Sequence, residues 1–334
     1  MIRVYDAVTD QVVDSLDLSI PSGPTESRTY GPECDYTKVP YDYTRTVVPT
    51  NKDTRPGTPS GTAEPTPPVY QLTIIGGFTD AFHFYPVIVR DSIATIYLHN
   101  NMLEYGHTYY VTIDNGVLNL ADGSFQGVTK EDEWTFTTKS DMPELSDTLI
   151  VDATGKGDFN TVQGALDFIP DFNEQQTVIL VNPGDYEELV YTRNKWNVKI
   201  KGAGMADTKV HYANNEVFNP HPLTVKTNEW PGTFPSRRAA FMLDNCKDIV
   251  IEDMTIATDL KGQAEGLLIN GERIALYRVH IIGSGDALQA NGTIYMESCE
   301  LDGGGDTILG RGSLFAYKSN FRNGGGPFSW VRNT

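Results

Sequence analysis

The feature that most constrains this chain is a repeat near 20 residues between Gly262 and Arg332. Short apolar runs begin at Leu267, Ala287, Thr307 and Phe328, spaced 20, 20 and 21 residues apart. The first three end at Asn270-Gly271, Asn291-Gly292 and Arg311-Gly312. β-type runs with glycine-rich corners at such a period are the mark of a solenoid. One repeat is too small to bury a core, so each must stack on its neighbours.

The same period carries charge. Asp286 and Asp306 each stand just before a run, 20 residues apart. If each repeat is one coil of a parallel β-helix, equivalent positions stack about 4.7–4.9 Å apart. Two carboxylates that close push one pKa up, leaving an acid beside a carboxylate near neutral pH. Such a pair can serve as general acid and nucleophile. The competing reading is two solvated turn residues beside glycines.

Bulk properties narrow the function. The chain has 334 residues and a net charge of −18. With no basic patch to neutralise phosphates, nucleic acid is excluded as the expected partner. An anionic membrane surface is disfavoured for the same reason, and no apolar run approaches the ~18 residues of a membrane-spanning helix. A neutral or esterified polymer suits so acidic a protein better than a fully acidic one. Cys34, Cys246 and Cys299 are odd in number and make no CxxC, so no disulfide framework is indicated. The six histidines have no zinc-binding spacing; neither metal nor cofactor is expected. Met1 runs straight into Ile2-Arg3-Val4-Tyr5, which reads as a strand already under way. A trimmed N-terminus is the expectation, so the lack of a visible leader does not argue for the cytoplasm, and a secreted or extracytoplasmic protein is expected.

Two domains are expected, residues 1–140 and 147–334. Residues 2–20 alternate apolar and polar around Thr9-Asp10, as a β-hairpin does. Residues 21–69 are rich in Pro, Thr, Gly and Tyr and read as a long loop. Strands are predicted at Tyr70–Ile75, His83–Val89, Ala94–His99, Thr108–Ile113 and Trp134–Thr138, a spacing that suits an antiparallel sandwich. Tyr109-Tyr110-Val111-Thr112-Ile113 and Trp134-Thr135-Phe136-Thr137-Thr138 resemble the bacterial Ig-like modules that precede catalytic domains. After a polar linker, Phe159, Val162, Leu166 and Ile169 predict an amphipathic helix over 158–169, capped by Asp158 or Asn160 and stopped by Pro170. It would cover the open first coil. Residues 212–239 read as a polar loop at the cleft.

The second domain resembles the pectin methylesterases. The resemblance runs from Val151-Asp152 through Gly157-Asp158-Phe159-Asn160-Thr161-Val162-Gln163 and Asn182-Pro183-Gly184-Asp185-Tyr186-Glu187-Glu188. It continues through Gly262-Gln263-Ala264-Glu265-Gly266-Leu267 to Gly285-Asp286-Ala287-Leu288 and Gly305-Asp306-Thr307-Ile308-Leu309-Gly310. It implies an all-β chain, with a right-handed parallel β-helix after the Ig-like β-sandwich, and pectin as substrate. It also implies Asp306 as nucleophile on a galacturonate methyl ester, Asp286 as general acid and base, and Gln263 as the oxyanion donor. Tyr186 and Glu188 look structural.

There are departures. Gly285 stands where the family has a second oxyanion glutamine, and Gln289 is the candidate replacement. Thr307 and Leu309 replace phenylalanines. The family's leucine-glycine-arginine-proline-tryptophan motif is absent, so Arg332 and Arg311 are the candidates to hold the nucleophile, Arg332 being favoured. Further coils are expected beyond Thr334. Trp330, Phe328 and Trp230 are candidates to stack on sugar rings. Two alternatives remain open: a β-helix glycosidase on polygalacturonate, since carboxylates about 5 Å apart also serve a retaining mechanism, and a non-catalytic polysaccharide-binding β-helix.

Overall fold

The computed structural model describes residues 1–23, 70–78, 81–119, 123–145, 147–216, 218–219 and 236–331. Most of the 21–69 loop, and residues 217 and 220–235 of the polar insertion, lie outside them. The chain divides into two units.

The first unit contains β1 (Ile2–Asp6), β2 (Val12–Leu16), β3 (Leu72–Thr73), β4 (Phe82–His83), β5 (Val87–Arg90), β6 (Ile93–Ile96), β7 (Thr108–Ile113) and β8 (Thr135–Thr137). Four of them form an antiparallel sheet in the order β2-β1-β7-β8; β3-β4 and β5-β6 are two-stranded ribbons. The expected hairpin turns at Asp10, whose φ of 57° an aspartate tolerates. Alternation puts Ile2, Val4, Tyr109, Val111 and Ile113 into one buried cluster with Leu16 and Phe84.

The second unit is a stack of parallel strands. Its elements are β9 (Thr148–Val151), α1 (Val162–Phe168), β10 (Thr177–Val181), β11 (Gly184–Glu187), β12 (Val190–Arg193), β13 (Val198–Lys201), β14 (Thr208–Tyr212), β15 (Phe241–Lys247) and β16 (Val250–Thr258). They continue as β17 (Leu267–Glu272), β18 (Ile274–Ile282), β19 (Leu288–Ala290), β20 (Thr293–Glu297), β21 (Glu300–Gly303), β22 (Ile308–Gly310), β23 (Ser313–Tyr317), β24 (Asn320–Asn323) and β25 (Ser329–Val331). One sheet follows the order β12-β15-β17-β19-β22-β25; the other faces share a sheet through β16 and β18. The architecture is the expected parallel β-helix.

Register decides what is inside. Leu149, Ile179, Ile200, Ile251, Leu276 and Met296 occupy one file, each paired with the next, and all six have no exposed surface. Each contributes about 1.5–3 kcal/mol of burial. A second file makes a corner: Asp253, Arg278, Ser298 and Lys318 have φ of 59°, 53°, 56° and 50°. The left-handed conformation turns the chain between faces at the same rung each time. Gly292 shows how tight the stack is, because a Cβ there would lie 1.7 Å from the Gly271 carbonyl oxygen.

The helix is shorter than the 158–169 expected. Asp158 accepts the Ile150 N–H at 2.8 Å, and the Phe159 backbone pairs with Ile150 and Asp152. That stretch is therefore used as a β-bridge to Val151. Thr161 caps α1, its hydroxyl accepting from the Gly164 N–H at 3.0 Å. Glu188 accepts the N–H groups of Val162 and Gln163 at 2.8 and 2.9 Å, satisfying two orphan donors of the first turn. Tyr186 donates to the Asn182 carbonyl at 2.8 Å. Both residues hold the early coils together. Val162, Ala165, Leu166 and Ile169 join the core over Leu149.

One unit ends at Glu144 and the other resumes at Leu145. Ile75–Ala81 groups with the β-helix although its flanks do not. The Gly76 N–H donates to Asp167 at 3.2 Å, and Phe78 packs edge-on to Tyr191 and under the Arg193 guanidinium.

Candidate active site

The approaches to β15, β17, β19 and β22 lie one above another. Phe241 pairs with Leu267, Leu267 with Leu288 and Leu288 with Ile308, so successive coils take 26, 21 and 20 residues. Two residues before each strand start, this register files Ala239, Glu265, Asp286 and Asp306. Three acidic residues thus occupy consecutive rungs, where sequence spacing alone predicted two.

Glu265 and Asp286 are buried, and Asp306 is half-buried and the most open of the three. The Asp306 backbone N–H donates to Asp286 Oδ1 at 3.2 Å. Burial, then the charge of Glu265, pushes the Asp286 carboxyl up to about 7; Asp306 adds to the rise, while Arg238 and the Asp306 N–H oppose it. Burial also raises the Asp306 carboxyl above the ordinary range, with Arg238 opposing. At neutral pH the pair can therefore hold a proton at the inner member.

The guanidinium in this file is that of Arg238, which sequence reading left inside the polar insertion. Its Nε and Nη2 lie 2.6 and 2.5 Å from Glu265 Oε1, its Nη1 3.0 Å from Gln263 Oε1 and its Nη2 3.4 Å from Asp286 Oδ2. Glu216 Oε2 lies 3.9 Å from Nη1. Burial works against the charge of Arg238, but the carboxylates of Glu265, Asp286 and Glu216 outweigh it and hold it above the usual guanidinium pKa. The one signal was position: Arg238 precedes β15 much as Asp286 precedes β19. The 26-residue coil between β15 and β17 breaks the period and hid it.

Other predicted residues are placed differently. Arg311 is exposed at the far end of β22, where its backbone N–H donates to Asn291 Oδ1 at 3.3 Å. The guanidinium beside the acidic file is that of Arg238, which meets Asp286 rather than Asp306. Arg332 and Trp230 lie outside the described residues, and Trp330 contributes backbone to β25 opposite Leu309. Phe328 is half exposed and packs edge-on to Phe321. Gln289 has no exposed surface; its Oε1 lies 3.2 Å from Ser236 Oγ, and its amide nitrogen has no hydrogen-bond partner among the described residues. Gly285 has a steric reason: a Cβ there would lie 2.8 Å from the Gly262 carbonyl oxygen and 3.0 Å from the Gln263 Cα.

Among the described residues, Glu187, His211 and Asp259 form a group with metal-binding side chains. His211 already sits between carboxylates, Nδ1 2.5 Å from Asp259 and Nε2 3.0 Å from Asp185. This group belongs to β11, β14 and the residue after β16.

The chain is 31% identical over 170 residues to Pectinesterase QRT1 of Arabidopsis thaliana, covering 48% of this chain and 43% of that protein. It is 29% identical over 165 residues to Pectinesterase 31 of the same plant, covering 48% and 51%. The chain thus spans about half the length of the curated relatives it matches. Among solved structures, the pectin methylesterase from carrot aligns with a TM-score of 0.45 at 22% identity, covering 52% of each chain. The pectin methylesterase PemA from Erwinia chrysanthemi aligns with a TM-score of 0.42 at 20% identity, covering 52% of this chain and 54% of that one. The Pectinesterase family model matches residues 148–323, more than half of the sequence, and the chain belongs to that family.

Proposed function

We propose that the protein hydrolyses methyl esters of galacturonate units in pectin. The observation that carries this is the stacking of Asp286 and Asp306 on adjacent rungs, the inner carboxyl raised to about 7 and bonded to the backbone of the outer one. Family membership supplies the substrate class.

The chemistry follows from the two environments. The Asp306 carboxylate, the more open, attacks the ester carbonyl carbon. The negative oxygen of the tetrahedral intermediate takes a hydrogen bond from the Gln263 amide. Collapse breaks the bond to the methoxy oxygen, which takes the proton held by Asp286 and leaves as methanol. The acyl group is then bound to Asp306 as an anhydride. Asp286, now a carboxylate, takes a proton from water as that water attacks the acyl carbon. Galacturonate leaves, and both aspartates return to their starting states.

The net charge of −18 suits a polymer whose carboxyls are masked as esters. A cell-wall polymer as substrate places the protein outside the cytoplasm. The antiparallel first unit serves as an Ig-like spacer in this reading. Methanol release from esterified pectin tests the proposal. Wild type should release it and Asp306→Asn should not; equal release by both would end it. Reducing ends without methanol would instead favour a glycosidase.

A further inference from the structure

We propose that Arg238 and Glu265 form a positioning pair, which orients the Gln263 amide toward the ester and holds Asp286 in its acid role. This rests on the esterase reading. Neither residue meets the ester in it: Arg238 reaches only the Asp286 carboxyl, 3.4 Å from Oδ2, and both act through Gln263 and Asp286.

A guanidinium has only donors. The end of the Gln263 amide that meets Arg238 Nη1 at 3.0 Å must therefore be the oxygen. The amide nitrogen is the end turned away from Arg238, and only the nitrogen can donate to an oxyanion. Without Arg238 the amide is free to flip and present an acceptor, which repels the developing charge. Arg238 is itself fixed by Glu265, whose Oε1 takes both Nε and Nη2. Glu265 has no exposed surface. A carboxylate so enclosed needs its cation, and the cation is held in one rotamer in return.

The pair also acts on Asp286. The charged groups facing it are Glu265 before β17, Arg238 before β15 and Asp306 before β22, with Glu216 behind Arg238. Glu265 and Arg238 pull in opposite directions. The negative charge one rung away favours the protonated Asp286, and the guanidinium 3.4 Å from Oδ2 favours the carboxylate. Their balance leaves Asp286 able to give a proton near neutral pH.

The full chain is tested by two routes. In the first, carboxyl resonances of the resting protein are titrated by NMR in wild type, Glu265→Gln and Arg238→Met. The Asp286 midpoint is expected to fall in Glu265→Gln and rise in Arg238→Met. Should Arg238→Met not fold, Glu265→Gln and the charge-free double variant E265Q/R238Q carry the same comparison. In the second, methanol release is measured for Arg238→Met, Gln263→Ala and the double variant. Arg238→Met should lower kcat by about 10²-fold with little change in KM. Once Gln263 is gone, the arginine change should cost little more below pH 7, where Asp286 keeps its proton with or without Arg238 and the remaining effect passes through that amide. A stationary Asp286 midpoint or additive losses would overturn the pair's role. Absence of methanol release by wild type would instead strike the esterase reading, while the NMR midpoints still decide the electrostatic half of the inference.

Discussion

Two polar files run along one sheet of the β-helix, and their chemistry is opposite. At the far end of the strands stand Asp244, Asn270 and Asn291. The Asn270 amide donates to Asp244 at 3.2 Å and the Asn291 amide to Asn270 at 2.7 Å; Arg193 closes the file on Asp244 at 2.5 Å. At the near end stand Glu265, Asp286 and Asp306. An amide both donates and accepts, so a stack of amides satisfies itself. A carboxylate only accepts, so a stack of carboxylates must borrow a cation, a proton or a backbone N–H. The near file uses all three: Arg238, the raised Asp286 carboxyl and the Asp306 N–H. A stacked repeat accommodates any residue that can bond to its own copy. Consecutive like charges cannot do so, and they mark the place where something besides stability is held.

The sharpest way to break this contrast is to turn the near file into the far one. Asp306→Asn should cut methanol release by on the order of 10⁴-fold or more, yet leave resistance to urea unchanged or higher, since a like charge is gone. Loss of stability together with activity would show that both files are merely structural. Gln263→Ala should lower kcat by about 10²–10³-fold through the lost oxyanion donor. In the far file, Asn270→Leu removes a donor from Asp244 Oδ1 and leaves the Asn291 amide without its acceptor. A loss of about 3 kcal/mol in urea unfolding is expected, with kcat intact.

The pH dependence separates the files further. The Asp286 carboxyl lies at about 7 in the folded protein against 3.8 for a free aspartate. The folded state therefore binds the extra proton between those values, and stability falls as pH rises through that window, by at most about 1.4 kcal/mol per pH unit. Asp286→Asn should flatten that slope. In wild type, kcat/KM should fall as pH rises through about 7, because the acid loses its proton. The smallest effect is expected at an exposed corner pair. Arg273 holds Asp248 at 2.6 Å with about half its side chain in solvent, and Arg273→Gln should leave the urea midpoint almost unchanged, the more so in high salt.

Much of this was legible in the residues. The period from Leu267 to Phe328 announced stacked coils, and Asp286 and Asp306 fell one coil apart because their coil has the period's own length. The corner glycines were visible too. The corner at Asp253, Arg278, Ser298 and Lys318 was not, because four residues of unlike chemistry share a backbone conformation and no side-chain pattern. The start of α1 was misplaced because Phe159 suits a strand edge as well as a helix face, and pairing with Ile150 and Asp152 chose the strand.

What the amino-acid order determined by itself was the repeat, the inward apolar file and the spacing of two aspartates, since these depend only on counting along one coil. What the tertiary structure decided was their company. Glu265 and Arg238 reach the aspartates across coils of 21 and 26 residues, lengths that obey no common period. Which rung lies above which is set by backbone pairing between strands, and only that pairing brings a cation to three stacked acids.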